Sequence, residues 1–171
     1  VLGLDYYAHS EHGYHENGSV VPCPTPAGFA VVAQQYARRY DLPIMLSETN
    51  IRGFVSDRVS WLKYMVEQCE MLVDLGLDFR GFCWFPFIDS TDWDSLLRQA
   101  EGNVDPVGIY WLDEARTTRY TSELSEIYAA LARGEFRAGS ITAYRFLPPV
   151  DGQLAGFIPQ MSHWSWREPR A

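Results

Sequence analysis

Three short stretches of this sequence gather the residue types that act on sugars. The first is Asp5-Tyr6-Tyr7, with His9 just beyond. The second is Ser47-Glu48-Thr49-Asn50, and the third sets Trp84 ahead of Asp89, Asp92 and Trp93. Carboxylates can protonate a glycosidic oxygen or attack the anomeric carbon, and indole rings stack on pyranose faces. A single carboxylate behind a strand is a common helix cap and carries little weight. Three such clusters, each tied to an apolar run, point instead to one concave site where acids and aromatics converge.

Other motifs take plainer readings. His9, His12 and His15 recur every third residue, but they sit among Gly and Asn without an HExxH pattern, so no metal is expected. Asn17-Gly18-Ser19 reads as a turn and Ser56-Asp57 as a helix cap. The sequence holds no GxGxxG, no GxxxxGK[ST] and no GxSxG, which removes phosphate loops and the serine-hydrolase elbow.

The elements that must position the clusters follow from periodicity. Val1-Leu2-Gly3-Leu4 reads as a buried strand feeding the first cluster. A polar loop runs to Thr25, the expected cap of a helix with Pro26 at its first position. Phe29, Val32, Ala33, Tyr36 and Tyr40 then recur at helical spacing. Ile44-Met45-Leu46 is a strand running into the second cluster. A second helix starts near Ser56 or Asp57, carries Leu62, Met65, Val66, Cys69, Leu72 and Val73 as its stripe, and stops at Gly76. Phe82 to Ile88 is the third apolar run, broken by Pro86, and Val107 to Leu112 is a further short strand. The last helix covers about residues 121–133, with Leu124, Ile127, Tyr128 and Leu131 on one face and Gly134 behind it.

Alternating strands and helices predict an α/β fold of parallel βαβ units, whose ligands bind at the carboxyl ends of the strands. The central strands are apolar throughout, as expected where both faces are covered. Residues 1–134 form the patterned part. Residues 135–171, with Pro148, Pro149, Pro159, Pro169, Trp164 and Trp166, read as an irregular extension with one short strand over 141–146.

Composition narrows the function further. Lys and Arg number 14 against 22 Asp and Glu, a formal net charge of −8, so the basic footprint of a nucleic-acid binder is missing. No apolar run has the length of a membrane span, and no signal peptide is expected. Cys23, Cys69 and Cys83 lack CxxC spacing, which predicts no disulfide framework and suits a cytoplasmic setting. Aromatic residues make up 15% of the chain, a share that serves both a core and a sugar-stacking surface.

The ordered set Leu2-Gly3-Leu4-Asp5-Tyr6-Tyr7, Ile44-Met45-Leu46-Ser47-Glu48, Gly81-Phe82-Cys83-Trp84 and Asp89 to Trp93 resembles the last third of family 1 glycoside hydrolases. Val107 to Asp113, followed by Arg116 to Tyr120, is similar to that family's closing stretch. The resemblance covers roughly residues 1–132. It implies the C-terminal portion, about strands 6 to 8 with their helices, of a (β/α)8 TIM barrel of the β-glucosidase-like, retaining type. It also implies roles. Glu48 would be the nucleophile and Tyr7 the residue that hydrogen-bonds it and holds it ionised. Trp84 would form the floor under the sugar, with one face open, near a cis peptide that the family often has after that position. Asp92 would hold distal sugar hydroxyls beside Trp93, with Asp89, Asp5 and His9 completing the substrate-binding set, and no cofactor is implied.

Four departures stand out. Ser-Glu-Thr-Asn replaces the family's Thr-Glu-Asn-Gly, and Asp5 stands where Asn is usual. The loop from Trp84 to Trp93 has one residue more than the common spacing, and Phe85-Pro86 replaces Ser-Leu. A whole barrel takes about 250 residues, and the family's acid/base Glu lies in an Asn-Glu pair that occurs nowhere in these 171 residues. The chain is therefore expected to be part of a longer glycosidase, inactive by itself, with an N-terminal barrel segment or a second copy as partner. The other readings are a non-catalytic carbohydrate-binding remnant of the same fold and a small α/β protein whose strand-end acids are helix caps.

Overall fold

The computed structural model describes residues 1–142 except 24–25, 53, 94–97 and 114. Strand β1 (Leu2–Asp5) leads through a small antiparallel hairpin, β2 (His12–Tyr14) and β3 (Val20–Pro22), to helix α1 (Phe29–Tyr40). Strand β4 (Ile44–Glu48), helix α2 (Val55–Asp74) and strand β5 (Phe79–Phe82) follow. The two-residue strands β6 (Ser90–Thr91) and β7 (Val104–Asp105) pair antiparallel, as do β8 (Trp111–Leu112) and β9 (Arg119–Tyr120). Helix α3 (Glu123–Ala132) and a short 3-10 turn at Ala138–Ser140 complete the described chain.

The sheet that matters has the order β1-β4-β5, parallel throughout, with Leu2 opposite Ile44 and Asp5 opposite Glu48. Alternation along the strands sends Ile44 and Leu46 into the core, with Leu2 and Leu4 packed against it. Phe29, Ala30 and Ala33 of α1 meet them, together with Val59, Leu62, Met65 and Leu72 of α2. Each fully buried aliphatic side chain here contributes about 1.5–3 kcal/mol. Gly3, Asp5 and Arg80 are exposed, and Met45 and Ser47 are half-buried. The expectation of cover on both faces therefore fails among the described residues: helices cover one side of the strands only. Gly76 and Gly134, at φ +75° and +74°, sit just past α2 and α3 in the left-handed conformation that ends a helix.

Three boundaries differ from the sequence reading. Helix α1 begins at Phe29 with Gly28 as its cap position, not at Pro26, and Thr25 lies outside the described residues. The Gly28 and Ala27 N–H groups are met by the Glu11 carboxylate, at 2.9 and 2.7 Å, so a distant loop residue does the capping. The third strand is Phe79–Phe82 rather than Phe82 to Ile88. Past Phe82 the chain reaches Pro86, which has no N–H for a ladder, across a cis Phe85-Pro86 bond, one peptide later than the family pattern. Of Val107 to Leu112, only Trp111–Leu112 is strand, because the Ile109 and Tyr110 N–H groups both turn back onto the Phe87 carbonyl. Helix α2 begins at Val55, and the Asp57 carboxylate accepts the Phe54 N–H at 3.0 Å, the capping role expected of that pair.

Residues 135–142 stay against α2. Glu70 accepts the Ala138 N–H at 3.0 Å, and Lys63 donates to the Ile141 carbonyl at 2.9 Å. Residues 141–142 are not strand, and the rest of the expected 141–146 strand lies outside the described residues, as do Trp164 and Trp166. No described helix is long and apolar enough to cross a membrane.

Candidate functional site

Strands β1 and β4 are neighbours, so their carboxyl ends deliver Tyr7 and Glu48 side by side. The Tyr7 hydroxyl donates to Glu48 Oε1 at 2.5 Å. Burial raises the Tyr7 pKa first, and the hydrogen bond to Glu48 and the charges of Glu48 and Asp5 raise it further. The phenol therefore keeps its proton and remains a donor. Glu48 is half-buried, with one oxygen oriented by that phenol. An oriented carboxylate of this kind can act as a nucleophile, because its attacking lone pair is held in one direction.

Asp5 and His9 stand beside this pair. Asp5 is exposed and accepts the Ser47 hydroxyl at 2.8 Å, tying the two strands one residue before Glu48. A Cβ at Gly3 would come within 2.8 Å of Ser47 Oγ, so the glycine gives that hydroxyl its room. The His9 ring stacks on Tyr7 with centroids 5.5 Å apart and planes 17° off parallel. Burial, and after it the His12 charge, hold the His9 pKa below the usual histidine value. Its Nδ1 is buried without a partner among the described residues.

The residues after β5 are placed differently from expectation. Trp84 is only 3% exposed, and its Nε1 donates to the Val107 carbonyl at 2.8 Å. The half-open floor expected of its ring is not there, because the indole is part of the hydrophobic core. Asp89 is buried too, its oxygens accepting the Gly108 N–H at 2.7 Å and the Leu112 N–H at 3.2 Å. Arg58, buried beneath it, donates to Asp89 at 3.3 Å and to the Gly108 carbonyl at 2.7 Å. Burial nevertheless raises the Asp89 pKa, against the lowering by these donors. Asp92 is buried at φ 57°, and its Oδ1 accepts the Asn103 N–H at 2.8 Å across the β6–β7 hairpin. These two carboxylates face protein, where exposed sugar ligands were expected.

Trp93 is 46% exposed, and its ring meets Phe85 edge-on at 6.2 Å. Phe85 and Phe87 are exposed as well. The open aromatic surface at this strand end is therefore Phe85 with Trp93, and sequence reading missed Phe85. Its one signal was the replacement of the family's Ser-Leu by Phe-Pro. Asn50, a member of the second cluster given no role from sequence, donates to the Phe85 carbonyl at 2.5 Å, while the Phe85 N–H donates to the Thr49 carbonyl at 3.1 Å. Arg52 pairs with Asp105, which also accepts the Trp93 N–H at 3.1 Å. The loop after β4 is thus tied to the chain after β5 by three contacts, Asn50 to Phe85, Phe85 to Thr49 and Arg52 to Asp105. Among the described residues, no group of three or more His, Cys, Asp or Glu side chains is placed to hold a metal.

No family model matches this chain. An aryl-phospho-beta-D-glucosidase of Bacillus subtilis, BglC, is 29% identical in a 77-residue alignment that covers 40% of this chain and 16% of that protein. Beta-glucosidase from Thermotoga maritima, solved in complex with noeuromycin, superposes with a TM-score of 0.63 at 16% identity, over 78% of this chain and 34% of its own. The same organism's family 1 b-glucosidase gives 0.62 at 15% identity over the same shares. The chain thus spans about a third of the solved relatives and a smaller part of the curated one. It resembles a family 1 glycoside hydrolase in sequence and in fold, and its α/β fold is part of the fold of TIM-barrel β-glucosidases.

Proposed function

We propose that this chain is the closing portion, about strands six to eight, of a retaining (β/α)8 glycosidase with β-glucosidase-like action on an O-glycoside. The observation that carries the reading is the Tyr7–Glu48 hydrogen bond at adjacent strand ends. In this reading β1, β4 and β5 are three consecutive barrel strands, and their uncovered face is the barrel interior. Glu48 attacks the anomeric carbon, the glycosidic bond breaks, and the leaving oxygen takes a proton from a second carboxyl group. Water then attacks the glycosyl ester and returns its proton to that second group. Tyr7 orients the nucleophile, and Phe85 with Trp93 offers the stacking surface first assigned to Trp84. Asp5 and His9 flank the sugar, while Asp89 and Asp92 build the walls on which Trp93 stands. No cofactor takes part. The three cysteines are free thiols, which suits a cytoplasmic protein.

The second carboxyl group must lie about 5–5.5 Å from Glu48. With no Asn-Glu pair in the sequence, this reading assigns that group to the remaining barrel strands. The same missing pair favours the second reading, a non-catalytic sugar-binding remnant. One experiment separates them. The full-length protein is incubated with an aryl 2-deoxy-2-fluoro-β-glucoside, and its peptides are weighed. A hydrolase acquires one fluoroglycosyl ester on Glu48, and Glu48→Gln lowers kcat on the order of 10³-fold or more while sugar binding survives. Turnover unchanged in Glu48→Gln defeats the assignment. Sugar binding with neither label nor turnover establishes the remnant.

A further inference from the structure

We infer that Trp61 is a positioning residue for the Tyr7–Glu48 pair, holding both strand ends from behind through one buried indole. The inference rests on Glu48 being the nucleophile. Tyr7 and Glu48 end neighbouring strands, so their alignment depends on what fixes the residue next to each. Next to Glu48 is Thr49, which is fully buried and whose Oγ1 accepts the Trp61 Nε1–H at 2.9 Å. Next to Tyr7 is Tyr6, whose ring lies parallel to that of Trp61, with centroids 6.4 Å apart and planes 1° off.

The two anchor points are joined to each other as well. The Tyr6 N–H donates to the Glu48 carbonyl at 2.9 Å. The Tyr6 hydroxyl donates at 2.7 Å to Glu11, the carboxylate that caps α1. Trp61 in turn cannot swing freely. It is 4% exposed, tilts against Tyr64 at 5.4 Å, and projects from the buried side of α2 beside Leu62 and Met65. A shift of the indole therefore moves Thr49 and Tyr6, and with them the 2.5 Å contact between Tyr7 and Glu48. Thr49 stands where the family has Asn, and its hydroxyl oxygen is the acceptor that the buried Trp61 N–H meets.

The test is kinetic and uses the full-length protein. Trp61→Phe keeps a ring against Tyr6 and removes the donor, Thr49→Val removes the acceptor, and Thr49→Ser keeps it. Misplacing a reacting group by an ångström can cost about a hundredfold. Trp61→Phe and Thr49→Val are each expected to lower kcat roughly ten- to a hundredfold, with KM changed much less. The rate at which the fluoroglycoside labels Glu48 should fall in the same proportion. Thr49→Ser should stay near the unsubstituted rate, and the Trp61→Phe/Thr49→Val double variant should lose no more than either single change. If both single variants lose only thermal stability and label Glu48 at the unsubstituted rate, Trp61 is core alone and the inference is overturned. Equal losses in Thr49→Ser and Thr49→Val overturn it too, and this comparison stands even if Trp61→Phe does not fold. An unsubstituted protein that never labels at Glu48 fails the nucleophile reading itself. Labelling of the parent with unchanged variants fails this inference alone.

Discussion

His9 lies face to face with the phenol that orients Glu48, and its burial has a consequence that can be measured. Burial and the neighbouring His12 lower its pKa from the ordinary value of 6.5, so the folded protein resists protonating it. The unfolded chain binds that proton more readily. Stability from this residue is therefore present above about pH 6.5 and is lost as pH falls toward the depressed folded value. His9→Phe keeps a flat ring on Tyr7 and removes the titration. Its denaturation midpoint should fall less between pH 7.5 and pH 5 than that of the unsubstituted protein. Equal falls in both would show that His9 does not titrate differently on folding. Tyr7 and Glu48 are 41 residues apart, and their meeting was legible because each ends an apolar run of strand length. Trp84 was misplaced because no such run marks the loop that brings the Val107 carbonyl to its indole N–H.

The three helices were legible for a physical reason: each buries one stripe, and stripes recur locally in the sequence. Strand β5 was not, since Phe79 to Ile88 is apolar almost throughout and periodicity cannot say where pairing stops. Past β5 the chain runs through Pro86 into a loop that closes over Gly108. That loop is fastened by Asp89, whose carboxylate takes the Gly108 N–H, and by Arg58, which takes the Gly108 carbonyl. A Cβ at Gly108 would fall inside the backbone of Ile88 and Asp89. Gly108→Ala must push the two loop segments apart and disturb the Arg58–Asp89 pair, so it should cost about 3 kcal/mol or more. The check is urea denaturation of Gly108→Ala beside Gly139→Ala, where a Cβ meets nothing within 4 Å. A Gly108→Ala protein as stable as the Gly139 variant would show that the loop closes by other means.

Among the described residues the largest sheet has three parallel strands, with helices against one face. β4 is paired on both sides, while β1 and β5 each pair with β4 alone. Each outer strand thus leaves a row of backbone donors and acceptors without ladder partners among the described strands, and such edges recruit other chains. The uncovered face carries Gly3, Asp5, Met45, Ser47 and Arg80, a mixture too polar to be a core and too close to the sheet to be a loop surface. In a closed barrel both problems vanish together, since closure pairs the edges and turns this face inward. The match over 78% of this chain but only 34% of a β-glucosidase fits that account. The 171-residue chain expressed by itself is therefore expected to self-associate, eluting from size exclusion well ahead of a 19.6 kDa monomer. Lys substituted on an outer strand, as in Leu4→Lys, would confuse the result because Leu4 packs against the core. Gly3→Lys has the same defect, since a Cβ there strikes Ser47. The informative variant is Val1→Lys, which adds charge at an exposed position next to β1 and should shift the distribution toward smaller species. A monodisperse monomer with one cooperative unfolding transition would mean that the sheet is closed by this chain itself, and the part-barrel reading would fall.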